Sequence, residues 1–206
     1  MVMELIGDRH DGDFKWVGGV LGSNGCVYGI PSDASKILKI DPSANTTTLV
    51  GDNLGEEEWK WRGGVAGDDG FIYGVPHNAK SVLKFNVETE ETKLIAHSLL
   101  DGHSKFHGGV LALNNCIYFI PHCHDKVVKF DPSNDNFTEI GDSITNDTGD
   151  KIVWAFNGGV LGDDGNIYCI PCHSHRVLKI RVNDDTTEFN GELYPGTRRA
   201  SSSAWY

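Results

Sequence analysis

Apolar and polar residues alternate in short bursts along this chain, and the bursts recur in sets of four. Residues 61–95 show one set plainly: WRGGVAGDDGFIYGVPHNAKSVLKFNVETEETKLI. Gly63-Gly64-Val65-Ala66 predicts a short strand, and two adjacent residues without side chains mark close approach of another backbone. Asp68-Asp69-Gly70 predicts a tight turn. Residues 71–75 are apolar on both alternating faces, as in a strand buried on both sides, and Pro76 ends it by withholding a ladder donor. Residues 81–85 give a third strand. Residues 92–95, with threonine and β-branched residues, give a half-exposed fourth.

The pattern is written four times. Gly-Gly falls at Gly18-Gly19, Gly63-Gly64, Gly108-Gly109 and Gly158-Gly159, at spacings of 45, 45 and 50 residues. The third strand recurs at 36–40, 126–130 and 176–180, and the fourth at 46–50, 137–140 and 186–189. A strand-rich period of about 40–50 residues is the signature of propeller blades. The expectation is an all-β, four-bladed β-propeller with four antiparallel strands per blade. It forms one domain over 1–206, with blade repeats at about 14–52, 59–96, 104–142 and 154–190 and a C-terminal tail at 191–206. Met3-Glu4-Leu5-Ile6-Gly7-Asp8 resembles Thr48-Leu49-Val50-Gly51-Asp52 and Glu139-Ile140-Gly141-Asp142. Residues 1–13 therefore hold a spare fourth strand, and the simplest use for it is to close the ring and remove an open edge. There are five fourth strands for four sets of the first three, so one is displaced or pairs elsewhere. A monomeric ring is one outcome and a ring-completing dimer the other. Residues 198–206 begin to imitate a fifth copy at Trp205.

Residues identical in all copies serve the scaffold. Tyr28, Tyr73, Tyr118 and Tyr168 occupy one core position. Lys39, Lys84, Lys129 and Lys179 occupy another, where a stem covers apolar surface and the ammonium stays wet. Positions that differ can serve a single asymmetric ligand. The residue before Gly-Gly is Val17, Arg62, His107 or Asn157. The turn after each proline reads Ser32-Asp33-Ala34-Ser35, His77-Asn78-Ala79-Lys80, His122-Cys123-His124-Asp125 and Cys172-His173-Ser174-His175. In a propeller these turns and the fourth-to-first loops share one face. Aromatic residues recur nearby: Trp16, Trp61, Phe106 and Phe156 as a packing series, with Phe14, Trp59 and Trp154 two positions further out as candidates for stacking on a ligand.

Gly162-Asp163-Asp164-Gly165-Asn166-Ile167-Tyr168 followed by His175-Arg176-Val177-Leu178-Lys179-Ile180 resembles the NHL repeat. The first copy resembles the related YVTN and streptogramin-lyase-type blades, and the likeness covers all four copies. It implies a propeller and carries little information on activity. Two departures stand out. The chain has Ile/Val-Pro where those families carry Asp or Asn after the second strand, and it has four copies where they have six or seven blades. In these families the position before Gly-Gly rims the central channel. Peptidylglycine-lyase-type propellers, which these blades also resemble, hold a metal with histidines from several blades.

Three functional readings follow. The first is a non-catalytic propeller binding a carbohydrate, peptide or protein partner through Val17, Trp59, Trp61, Arg62, His107, Trp154 and Asn157. The second is a metal-dependent lyase or hydrolase. Its divalent ion (zinc, copper or calcium) has His77, His122, His124, His173 and His175 as candidate ligands, with His107 close by and Arg62 steadying an anionic intermediate. The third is a structural subunit whose acidic rim docks a basic partner. No Ser-His-Asp order and no Gly-rich phosphate loop can be singled out.

The 206 residues carry 29 acidic against 18 basic side chains, a net charge of −11. That balance argues against nucleic acid, and no apolar run reaches the length of a membrane span. The five cysteines form no even-numbered disulfide framework, and no signal peptide is visible; both favour a reducing, intracellular setting. The sequons Asn45-Thr46-Thr47, Asn136-Phe137-Thr138 and Asn146-Asp147-Thr148 keep secretion open.

Overall fold

Each repeat folds into one four-stranded antiparallel meander, because its four apolar bursts are joined by turns too short for any other pairing. The computed structural model describes residues 5–191. The first sheet contains β1 (Trp16–Leu21), β2 (Val27–Pro31), β3 (Ile37–Asp41) and β4 (Thr46–Val50). The second contains β5 (Trp61–Ala66), β6 (Phe71–Pro76), β7 (Ser81–Asn86) and β8 (Thr92–Ala96). The third contains β9 (Phe106–Leu111), β10 (Ile117–Pro121), β11 (Val127–Asp131) and β12 (Asn136–Ile140), and the fourth β13 (Phe156–Leu161), β14 (Ile167–Pro171), β15 (Val177–Arg181) and β16 (Thr186–Asn190). Strand order within every sheet follows the chain. The protein is an all-β, four-bladed β-propeller, with a single turn of 3-10 helix at Ser98–Leu100 among the described residues.

The innermost strands β1, β5, β9 and β13 pack on one another in succession, and the Gly-Gly pair allows it. Gly18, Gly63, Gly108 and Gly158 all have φ near +80°, a conformation that costs little only for glycine. A Cβ on Gly18 would sit 3.0 Å from the Cα of Gly63, and one on Gly63 would sit 3.5 Å from the Cα of Gly108. The second glycine faces the previous blade, where a Cβ on Gly64 would lie 2.7 Å from the Ile30 side chain. The β1–β2 ladder is irregular between Trp16 and Gly19, with the same break at Trp61/Gly64 and Phe156/Gly159. Such a bulge re-aims the side chains beside it. Trp61 is thereby turned into the core.

Three apolar clusters fill the spaces between sheets one and two, two and three, and three and four. Among the described residues no such cluster joins sheet four to sheet one. Sheet four has its own outermost strand, β16. Residues 5–15 carry no strand, and Met3 and Glu4 lie outside the described residues, so hydrogen-bonded closure by the N-terminal strand is not among the observed pairings. Trp205 and the imitation of a fifth copy also lie outside the described residues.

The recurring lysines and tyrosines are scaffold. Lys39 binds Glu90 at 2.6 Å, Lys129 binds Asp185 at 2.7 Å and Lys179 binds Asp164 at 3.1 Å. The tyrosine hydroxyl meets a turn side chain: Tyr73 donates to Asp69 at 2.6 Å and Tyr168 to Asp164 at 2.9 Å. Cys26, Cys116 and Cys169 are buried free thiols, whereas Cys172 is exposed.

The axial glycines can be tested by comparing two positions with the same backbone conformation. Gly25 has φ +80° and open space where a Cβ would go; Gly18 has φ +83° and a backbone neighbour. Gly25→Ala is expected to cost about 1–2 kcal/mol of strain. Gly18→Ala is expected to cost distinctly more, because the neighbouring strand must also shift. Urea denaturation of both variants measures the difference, and equal losses would show that the axial contact contributes nothing.

Candidate functional site

The loop that enters each innermost strand is held by the blade before it. The backbone N–H of Lys60 donates to Ser32 O, that of Lys105 to His77 O and that of Ala155 to His122 O, at 3.1, 3.1 and 2.7 Å. The fourth-to-first loops and the post-proline turns therefore do lie on one face. Buried lysines reinforce the joint: Lys60 Nζ donates to Glu57 O, and Lys105 Nζ to His77 O and Gly102 O, each at 2.8 Å. Burial pushes the Lys105 ammonium down to about 8. The recurrence of Lys15, Lys60 and Lys105 one position before the packing aromatic is a sequence signal for this joint, which the reading above did not use.

At the axial end of these loops four predicted residues come together. His77 and His122 have ring centroids 6.0 Å apart, and His122 and His107 5.4 Å. Arg62 acts electrostatically on all three imidazoles. The Arg62 guanidinium carbon lies 5.4 Å from the Trp59 ring centroid, within cation–π range. Its Nε is buried without a hydrogen-bond partner, and among the described residues no carboxylate forms a salt bridge with it. Trp59 adopts a left-handed backbone, φ +56°, with its N–H donating to Asp33 Oδ1 at 2.7 Å. Its ring packs against Phe14 at 4.6 Å.

The imidazoles are neutral acceptors. Nδ1 of His77 lies 2.9 Å from the carbonyl of Phe106, and Nδ1 of His122 lies 3.0 Å from that of Phe156. A carbonyl can only accept, so Nδ1 carries the proton and Nε2 keeps a free lone pair. Burial first, and Arg62 second among the depressing influences, push His77 and His107 down to about 4. His122 is lowered too, mainly by burial. The result is one cation beside neutral imidazoles and an aromatic face.

The remaining predicted residues fall elsewhere. Val17 is half-buried and Asn157 exposed at the ends of the series before Gly-Gly. Trp61 is a correction: it is buried in the cluster between sheets one and two, and its Nε1 donates to Ser81 O at 2.8 Å. A ligand cannot reach it. Trp154 is exposed and packs on His173 with centroids 5.1 Å apart.

The five candidate metal ligands do not converge. His124 lies against Phe106 at 4.9 Å, with Nε2 3.8 Å from Glu139. His173 and His175 line a separate groove of about 260 Å³ with Lys151, Arg176 and Phe189. His77 and His122 meet beside His107, and His173 is near enough to help hold the His122 imidazole neutral. Among the described residues no three His, Cys, Asp or Glu side chains are grouped to hold a metal ion.

No family model matches the chain, and no curated protein matches it either. Solved structures do. A catalytically inactive virginiamycin B lyase from Staphylococcus aureus with quinupristin is similar at a TM-score of 0.70 and 12% identity, covering 87% of this chain and 56% of that one. An auxiliary nutrient binding protein from Bacteroides ovatus gives 0.60 and 15%, covering 90% and 44%. A putative gluconolactonase gives 0.61 and 14%, covering 87% and 64%. The fold these structures share with the chain is a β-propeller. The chain spans about half the length of the lyase structures it matches.

The depressed histidines make stability depend on pH. In the unfolded chain each imidazole titrates near 6.5, whereas in the folded one His77 and His107 take a proton only near 4. Between these values the unfolded state binds more protons, so acidification favours unfolding. The melting temperature is expected to fall from pH 6.5 to 4 and to lose nothing further from these groups below that. His77→Gln with His107→Gln should flatten the window. Arg62→Met should move the histidine midpoints upward in an NMR titration; unchanged midpoints would remove Arg62 from the account.

Proposed function

We propose that the protein is a non-catalytic binding propeller whose axial site takes a hydroxylated ligand bearing a carboxylate, with an acidic sugar as the simplest form. The observation that carries this reading is Arg62, a half-buried guanidinium whose buried Nε has no hydrogen-bond partner and which has no carboxylate partner among the described residues. A guanidinium fork matches a carboxylate in two parallel hydrogen bonds. The Nε2 lone pairs of His77 and His122 accept from ligand hydroxyls, and His107 stands beside them as a further neutral ring. Trp59, braced by Phe14, offers the face on which a sugar ring stacks.

Magnitude favours binding over proton transfer. General bases work best with a pKa near the working pH, and imidazoles at about 4 are acceptors rather than strong bases. The second reading, elimination or hydrolysis with His107 as base and Arg62 steadying an oxyanion, is favoured by the one cation beside a neutral imidazole. A solved structure similar at 12% identity is a virginiamycin B lyase.

Calorimetric titration with uronic-acid oligosaccharides and their neutral counterparts tests the proposal. The acidic series is expected to bind, and Arg62→Met to weaken it by about 10–100-fold, the usual worth of a hydrogen-bonded charge. Trp59→Ala should weaken neutral and acidic sugars alike. Silence across the acidic series, or undiminished binding by Arg62→Met, rejects the reading. Release of an unsaturated product, abolished by His107→Gln, would move the assignment to the lyase.

A further inference from the structure

The two end blades carry matching apolar surfaces that the described chain leaves partly open. Val20, Val65 and Val110 are buried against the next blade, but their counterpart Val160 is 62% exposed. Ile30, Val75 and Ile120 are buried, but their counterpart Ile170 is 50% exposed. At the other end, Val27, Leu38 and Ile40 of sheet one are only half-buried. Their counterparts Ile72, Leu83 and Phe85 are buried against the previous blade. One end thus presents the leading face of a blade interface and the other end the trailing face. In the three interfaces present, these two kinds of face pack on each other.

The outermost strands repeat the mismatch. The ladder end between third and fourth strands pairs Ile37 with Val50, Val82 with Ile95 and Val127 with Ile140. In sheet four it pairs Val177 with Asn190. Meanwhile Gly7 is pressed onto Thr47, as Gly51 is onto Thr92 and Gly141 onto Thr187. Residues 5–7 therefore run where the end of a preceding blade's outermost strand runs. Ile6-Gly7-Asp8 has the apolar residue that Asn190 lacks and matches Ile140-Gly141-Asp142.

We propose that two copies of this chain close a head-to-tail ring of eight blades, residues 5–8 of each copy taking the place of the end of β16 beside the other copy's β15. Ile6 then meets Val177 and restores the apolar ladder end. Gly191 could not stand on Thr47 while Gly7 does, which is why β16 must yield. Eight blades lie within the range known for propellers. The contact is heterologous, and the two-fold repeat closes it without leaving an edge. It also completes the series of residues before Gly-Gly around the axis.

Sedimentation equilibrium of residues 1–206 at high micromolar concentration tests this. A dimer is expected. Val160→Glu with Ile170→Glu, and separately Val27→Glu with Leu38→Glu, should each give a monomer, with near-UV circular dichroism confirming that the blades stay packed. Mixing the two variants should restore a dimer, because one intact interface forms between them. Deleting residues 1–8 should weaken dimerisation at least 10-fold. A wild-type monomer, an open polymer, or a dimer that only the Val160/Ile170 pair disrupts would overturn the head-to-tail ring. A deletion variant that dimerises as well as wild type would overturn the strand exchange.

Discussion

Everything in this protein depends on how closely its innermost strands approach one another. A Cβ on Gly18 would lie 3.0 Å from the backbone of the next strand, so a side chain there would push that strand aside. The left-handed glycine also breaks the ladder register beside it. That break sends Trp61 into the sheet interface while Arg62, its neighbour in the chain, joins the imidazoles. Packing and site are two consequences of one backbone irregularity.

The site's electrostatics run against those of the whole molecule. The chain carries a net charge of −11, yet the axial end holds a guanidinium among uncharged imidazoles. Over distances beyond the Debye length, about 8 Å at physiological salt, the acidic surface is screened. Inside the site the local cation acts through a medium less polar than water, where its field is stronger. The same burial that keeps His77 and His107 neutral leaves Arg62 the dominant charge. Neutral imidazoles are also what allow the cluster to exist, since protonated rings with centroids 5.4–6.0 Å apart would repel one another and Arg62.

Blade stacking is a nearest-neighbour arrangement, in which each sheet is stabilised by the two beside it. Sheets two and three have both neighbours and contain the fully buried residues Tyr73, Val75, Phe119 and Val128. Among the described residues, apolar clusters join sheets one and four to one neighbour each, and Val160 and Ile170 of sheet four are in contact with water.

The blades were legible in the sequence because strand, turn and proline signals are local and were repeated four times. Val17, Arg62, His107 and Asn157 could be picked out as the varying position in a constant frame, and Lys39 with its counterparts as scaffold. Alternation and spacing determined the element order, the sheet topology and the face on which varied loops gather. Three things needed the tertiary structure. Trp61 stood both in the recurring packing series and among the ligand candidates, and only the bulge decides that it is core while Trp59 lies beside the cation. The histidines of the post-proline turns look like one ligand set, and only the structure shows that His124 lies against Phe106 and Glu139 and that His173 and His175 line a groove of their own, while His77 and His122 meet beside His107. Closure depends on the angle between successive blades, which side-chain volume at each interface sets and no local pattern encodes. Local periodicity therefore established what the units are, and packing between units decided where their side chains meet.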